Sequence, residues 1–478
     1  MNSKKTLKIA AVFGAALLAL NAVAFADDGS QAQLTTMVNN LQKQMSLMQR
    51  TIDSQNSKLR DLENRPSGGG TVQATPPMSD FEFNERLGSA LGGANKWLKD
   101  LSFKGDLRLR YEAFSNSAGS SSETDPRNRF RYRLRFGWEK KFSEDMKVGF
   151  SLASGERSSG NQVDPTSTNT TFDNNFNFKE IFIEKAYAKY SPPFLRKGPV
   201  EMVTLTAGKQ DNIFEKGSSD IIWDRDVKPE GLSESVNLDL VDGENFDLKS
   251  FLSGGQFVLD EDATVGGDAN LFAYQLGLNA IAYTPLMERP VDFLSAFSYY
   301  SWYNYAQGSN FLIGTSSLAR GNFNAAGPST SLDAEDFEVF EYYNEIALYP
   351  HGLPVRPYID WAVNAANQRV GEQDGHAWAL GTKIGGINKK GDWELSYAYK
   401  YVGSEATPGF NDSDFGFAGH SGKRGNVLKA GYALTDKMTL GLAAIFVSNL
   451  NAATSNGVSG EVRDEQQRRF QVDLAWKF

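Results

Sequence analysis

The stretch Arg469-Phe470-Gln471-Val472-Asp473-Leu474-Ala475-Trp476-Lys477-Phe478 decides how this chain is read. Phe470, Val472, Leu474, Trp476 and Phe478 alternate with Arg469, Gln471, Asp473, Ala475 and Lys477. Successive side chains of a β-strand point to opposite faces, so one face of this strand is wholly apolar and the other nearly all polar.

The same period of two recurs upstream. Leu101, Phe103, Leu107, Leu109 and Tyr111 oppose Lys104, Asp106, Arg108, Arg110 and Glu112. Phe130, Tyr132, Leu134, Phe136 and Trp138 oppose Arg129, Arg131, Arg133 and Arg135. Phe272, Tyr274, Leu276 and Leu278, and later Trp393, Leu395, Tyr397, Tyr399 and Tyr401, repeat it. A soluble β-sandwich also alternates. Here Trp and Tyr gather at the ends of the apolar faces, as in the aromatic belts of a membrane interface.

Connections between these segments are of two kinds. Ser143-Glu144-Asp145-Met146 and Thr435-Asp436-Lys437-Met438 are matching tight turns, and short connections are expected near 191–200, 253–255, 284–291, 350–354 and 387–390. Longer polar stretches lie near 114–126, 156–178, 212–241, 306–335, 404–424 and 450–464, with lesser ones near 260–268 and 365–374. Short turns at one end and long loops at the other are the arrangement of an outer-membrane barrel. Seven turns and eight loops predict a transmembrane antiparallel β-barrel of about 16 strands over residues 101–478. The segment 256–259 is the weakest strand in that count, and 14 or 18 are the alternatives.

A closed sheet pairs every backbone group without water, so it can sit in lipid. At this width side chains do not fill the interior, and an aqueous channel is expected. Arg127, Arg129, Arg131, Arg133 and Arg135 occupy alternate positions of one strand, with Arg108 and Arg110 on the strand before. Neighbours on such a ladder are about 6.6 Å apart, inside a Debye length of about 8 Å. On the lipid face each midplane arginine would cost about 2–4 kcal/mol, so the ladder must face water. It reads either as a basic stripe that guides anions or as a structural ladder paired with Asp106, Glu112 or Glu139. The 212–241 loop is acidic, with Glu215, Asp220, Asp224, Asp226, Glu230 and Glu234. Folded inward, it would narrow the channel and set a transverse field against the arginines.

Ahead of the barrel, Lys4, Lys5 and Lys8 precede the apolar run 9–20 and an Ala24-Phe25-Ala26 cleavage pattern. This reads as a signal peptide over 1–26. Its removal takes the net charge from −9 to −12, by loss of those three lysines. So acidic a chain argues against a nucleic-acid partner. Over 27–65, Leu34, Leu41, Met48 and Leu62 with Val38, Met45, Ile52 and Leu59 form a heptad seam of about four repeats, interrupted by Gln55. It predicts a coiled-coil stalk and hence a homo-oligomer, a trimer in preference to a dimer. Pro66, Ser67-Gly68-Gly69-Gly70 and Pro76-Pro77 mark a linker, which leads into a short amphipathic segment ending at residue 100.

Other chemistries find little support. With no cysteine there is no disulfide or thiolate metal site. His351, His376 and His420 are scattered, so no metal centre or cofactor is expected. Asp412, Asp414 and Gly416, or Asp260, Glu261 and Asp262, lack the full spacing of a calcium loop and read as solvated acids. No nucleotide-binding or enzyme motif appears.

Ala207-Gly208-Lys209, Ile221-Ile222-Trp223-Asp224-Arg225-Asp226 followed by Pro229-Glu230-Gly231, and the Phe478 terminus are similar to motifs of the putative porin family of Gram-negative bacteria. The resemblance covers most of residues 101–478. It implies an outer-membrane location, a lipid surround and passive diffusion of small hydrophilic solutes or ions, with no enzyme activity and no named solute. It also implies that Phe470, Val472, Leu474, Trp476 and Phe478 form a strand read by the barrel assembly machinery. A second function class is a structural or interaction protein, with the barrel as anchor for a periplasmic stalk and surface loops.

Overall fold

The computed structural model describes residues 100–117, 127–157, 163–261, 268–284, 289–305, 337–366, 375–416, 421–450 and 466–478. The expected signal peptide, stalk, linker and amphipathic segment lie outside these residues, apart from Asp100.

The alternating segments are long strands, each hydrogen-bonded antiparallel to its sequence neighbour. In chain order they are β1 (Leu101–Ser117), β2 (Arg127–Lys141), β3 (Met146–Ser154), β4 (Thr170–Thr171), β5 (Ile181–Tyr190), β6 (Val200–Lys209), β7 (Glu230–Asp242), β8 (Phe246–Asp260) and β9 (Ala269–Ala282). There follow β10 (Val291–Tyr303), β11 (Phe337–Ala347), β12 (Val355–Asn364), β13 (His376–Gly385), β14 (Trp393–Val402), β15 (Lys423–Thr435), β16 (Met438–Asn449) and β17 (Gln466–Lys477). β4 is a two-residue piece on β2, at Arg131 and Tyr132, beyond the point where β3 leaves the ladder at Arg135. The other strands make a wall of sixteen.

The wall is closed. β17 pairs with β1 from Asp106 opposite Lys477 to Ser117 opposite Gln466. Closure removes the exposed edges that an open sheet would present. At the seam Phe478 exchanges backbone hydrogen bonds with Gly105, 2.9 and 3.1 Å. A Cβ on Gly105 would lie 2.4 Å from the Phe478 ring, so only glycine admits the terminal ring there.

Strand parity separates two surfaces. Phe103, Phe130, Leu232, Leu252, Leu380, Leu442 and Phe470 point outward and stay exposed. So many bare apolar groups are stable only against lipid. Arg110, Arg131, Gln275, Glu341, Asp360, Lys400 and Arg469 point inward and are buried. No helix among the described residues is long and apolar enough to cross a membrane.

Two expected boundaries move. Ser253-Gly254-Gly255 is not a turn but the middle of β8; the turn is 243–245. The two glycines serve packing instead. A Cβ on Gly254 would meet the Glu234 carboxylate at 2.8 Å, and one on Gly255 the Phe257 ring at 2.4 Å. The acidic loop therefore ends at Pro229, and Glu230 and Glu234 belong to β7. Both lie on the outer face with Leu232, and Glu230 pairs with Lys209 at 2.6 Å.

Candidate functional site

The inner face of β1, β2 and β17 carries an ion-pair lattice. Arg110 grips Asp473 with two parallel bonds of 2.7 and 2.8 Å and reaches Asp414 at 2.9 Å. Bidentate guanidinium–carboxylate pairs are among the stronger hydrogen bonds in proteins. Arg133 and Arg135 share Asp106, at 2.7 and 2.6 Å. Arg129 bonds Glu112 at 2.5 Å, and Arg131 lies 3.6 Å from Glu156. Arg108 donates to Asn169 at 2.6 Å and stands 3.8 Å from Asp473. Arg127 differs: it is exposed, rests on the Phe114 ring and makes no ion pair among the described residues.

Arg469 was not singled out from the sequence, yet it belongs to this lattice. It reaches Asp414 at 2.8 Å and Glu112 at 3.5 Å. Its place on the same face of β17 as Gln471 and Asp473 was the available signal.

The 210–229 connection folds inward across the lumen. Asn212 caps a short 3-10 turn over Ile213–Gly217 by accepting from the Phe214 amide at 3.1 Å. The segment then reaches the far wall. Ser218 donates to Glu341 of β11 at 2.6 Å, and the Ser219 amide to Asp360 of β12 at 2.8 Å. Ile221, Ile222 and Trp223 are almost fully buried. The Trp223 ring meets Tyr300 and Trp302 of β10, each at 5.4 Å between centroids. The chain returns toward β2, where Asp226 takes two bonds from Thr168 and stands 3.7 Å from Arg135 and 4.0 Å from Arg133.

Of the acids expected in this loop, only Asp226 faces the arginines. Asp220 is 2.7 Å from Lys400 of β14. Glu215 is exposed on the short 3-10 turn. Asp224 accepts from the Asp226 and Ser413 amides at 2.8 Å each. Burial, with the Asp226 and Asp412 carboxylates nearby, pushes its pKa well above the usual carboxylate range.

A second inward loop, 403–416, was not expected. The Asp224 amide donates to the Phe410 carbonyl at 2.6 Å, and the Asp412 amide to that of Asp220 at 3.0 Å. Lys400 bonds both loops, through Asp220 and Asp412 at 2.7 Å each. Asp412 and Asp414 are therefore paired acids under the loop rather than solvated ones. Burial raises the pKa of each. Lys400 at Asp412, and Arg110 with Arg469 at Asp414, more than offset that and hold both carboxyls ionised well below the usual range. No group of three or more possible metal ligands occurs among the described residues.

A lipid-facing wall, a charged lining and loops folded into the lumen together define a channel-type outer-membrane β-barrel. A family model described as "Putative porin" matches residues 115–317 and 355–474. The chain belongs to this porin family: it is an integral outer-membrane channel protein, not an enzyme. A search of curated proteins finds no match. Among solved structures the chain is similar to OprB of Pseudomonas putida, in its high-pH structure, at 13% identity and a TM-score of 0.46, covering 81% of this chain and 97% of that one. It is similar to OmpF of Salmonella typhi in complex with daunomycin at 10% identity and a TM-score of 0.44, covering 79% and 97%. An anion-selective porin from Comamonas acidovorans aligns at 11% identity and a TM-score of 0.41, covering 79% and 99%.

Proposed function

We propose that the channel passes small hydrophilic solutes and ions by diffusion along one side of the lumen, beside β2, β3, β5 and β6. The supporting observation is the uneven wetting of the inner wall. The in-folded loops roof the inner face of β9 to β15. The opposite side keeps charged groups open to water. Lys147 is 38% exposed beside Glu139 at 3.5 Å, and Asp211 is 48% exposed beside Lys185 at 3.1 Å. Arg135 is 27% exposed beside Asp226.

The arginine ladder works here as lining rather than as an excess of positive charge. Arg108, Arg110, Arg129, Arg131, Arg133, Arg135 and Arg469 face Asp106, Glu112, Glu156, Glu184, Asp226, Asp414 and Asp473. A balanced lattice makes a steep local field with little net charge, so ion preference is weak and dipolar solutes are oriented. The heptad seam of residues 27–65 supports assembly of copies, a trimer by preference, with the stalk in the periplasm. The outward apolar face of Phe470, Val472, Leu474 and Trp476, closed by Phe478, suits recognition by the barrel assembly machinery.

Single-channel recording in planar bilayers tests the reading. Stepwise conductance that scales with bulk salt, and a reversal potential near zero in a salt gradient, are expected. A folded barrel that gives no steps would transfer the assignment to an anchor for stalk and loops.

A further inference from the structure

The arginine lattice is balanced as a whole and mismatched at one point. Across the β1–β2 ladder Arg108 stands opposite Arg133, and Arg131 opposite Arg110. Like charges placed directly across a strand pair repel. Arg133 and Arg110 have acids of their own, Asp106 for the first and Asp473 with Asp414 for the second. Arg108 and Arg131 are served less well. Arg110 occupies both oxygens of Asp473, which leaves Arg108 3.8 Å away. Glu156 gives one oxygen to the Thr171 amide and holds the other 3.6 Å from Arg131. Its side chain is 38% exposed, so water screens that pair.

What the two guanidiniums share is a neutral residue. Arg108 donates to the Asn169 side-chain oxygen at 2.6 Å, and Arg131 to the Asn169 carbonyl at 3.4 Å. Asn169 is buried and pinned from both sides. Thr168 bonds Asp226 twice, and the Thr170 hydroxyl donates to the Gly155 carbonyl at 3.1 Å. An amide oxygen accepts hydrogen bonds but carries no charge. The side chains of Arg108 and Arg131 are only 15% and 10% exposed. The Nε of each is buried with no hydrogen-bond partner among the described residues. Buried polar groups are almost always bonded, and an orphan points to a bound ion or water. Two neighbouring cations short of counter-charge favour an anion over a water, because a buried charge without its opposite is costly.

We propose that Arg108, Arg131 and Asn169 form a binding site for one small inorganic anion of chloride's class. The anion lies between the two guanidiniums and supplies the counter-charge that Asp473 and Glu156 leave unmet. It is a resident part of the lining. The inference rests on the geometry of the lattice and stands whether or not the barrel conducts.

Crystals of the full-length protein grown with bromide in place of chloride test this, because bromide scatters anomalously. One peak within hydrogen-bond reach of both guanidiniums is expected. Arg131→Gln should lose it. Asn169→Asp places a fixed carboxylate at the same point and should expel the bromide with the barrel intact. Binding to the folded state also raises stability. Replacing chloride by gluconate at constant ionic strength should therefore lower the unfolding midpoint of the wild type, and Asn169→Asp should abolish that shift. No anomalous peak, or a water in its place, would overturn the site. So would a peak seen only at molar bromide, which is binding at crystal concentration only. A peak that persists in Asn169→Asp, or an equal midpoint shift in both proteins, would overturn it too.

Discussion

The inner face has two sides that hold the in-folded loops by different physics. On the β17–β1–β2 side the contacts are ionic: Asp106 bridges two arginines, and Arg110 and Arg469 clasp Asp414. Against β10 they are mainly apolar: Trp223 sits among Tyr300, Trp302 and the other rings of a buried cluster. One loop touches both, with Trp223 on the second side and Asp226, three residues on, facing the first. The apolar side supplies most of the docking energy, because burying large rings removes much apolar surface from water and desolvates only an indole N–H in return. The ionic side must first desolvate its charges and gains less net stability. In the proposed channel its part is to line the path and set the field.

The largest effect should come from the apolar side. Trp223→Ala should cost about 3–5 kcal/mol of loop docking, the range for truncating a buried aromatic. The released loop should give larger and noisier conductance steps, with the barrel intact by circular dichroism. Unchanged steps would mean that this loop does not bound the path. Asp106→Asn comes next, at about 2–3 kcal/mol, because it leaves Arg133 and Arg135 short of a shared counter-charge. The reversal potential should move toward anion preference while step size changes little. A move in stability alone would strip the ladder of any part in conduction.

The two sides also differ in how readable they were. β1, β2 and β17 alternate cleanly because their inward positions face water or ions, so polar residues mark one face and apolar residues the other. Inward positions of β9 and β10 include Leu271, Ala273, Tyr300 and Trp302. At this loop end of the two strands both faces are then apolar, and the period of two fades there. Those rings are inside because the 210–229 loop replaces water over them, which no strand announces on its own. The same cause hid the 403–416 loop. Its acids looked solvated because their partners, Lys400, Arg110 and Arg469, lie on β14, β1 and β17. The Arg110–Asp473 pair joins residues 363 apart in sequence. Local pattern shows that an arginine faces inward, and only barrel closure shows which acid it meets.

The smallest effect sharpens the contrast within the ladder itself. Arg127 belongs to the same alternation as Arg129 to Arg135, and by sequence alone the five are equivalent. In the fold Arg127 is exposed at the loop end of β2 and contacts the Phe114 ring at 5.4 Å. Arg127→Ser should therefore change stability by no more than about 0.5 kcal/mol, as for an exposed charge. The reversal potential should stay put as well, since the paired lattice below sets the field. If Arg127→Ser shifts the reversal potential as far as Asp106→Asn does, the selecting element is the mouth of the channel. The balance of charges in its middle would then matter only to stability.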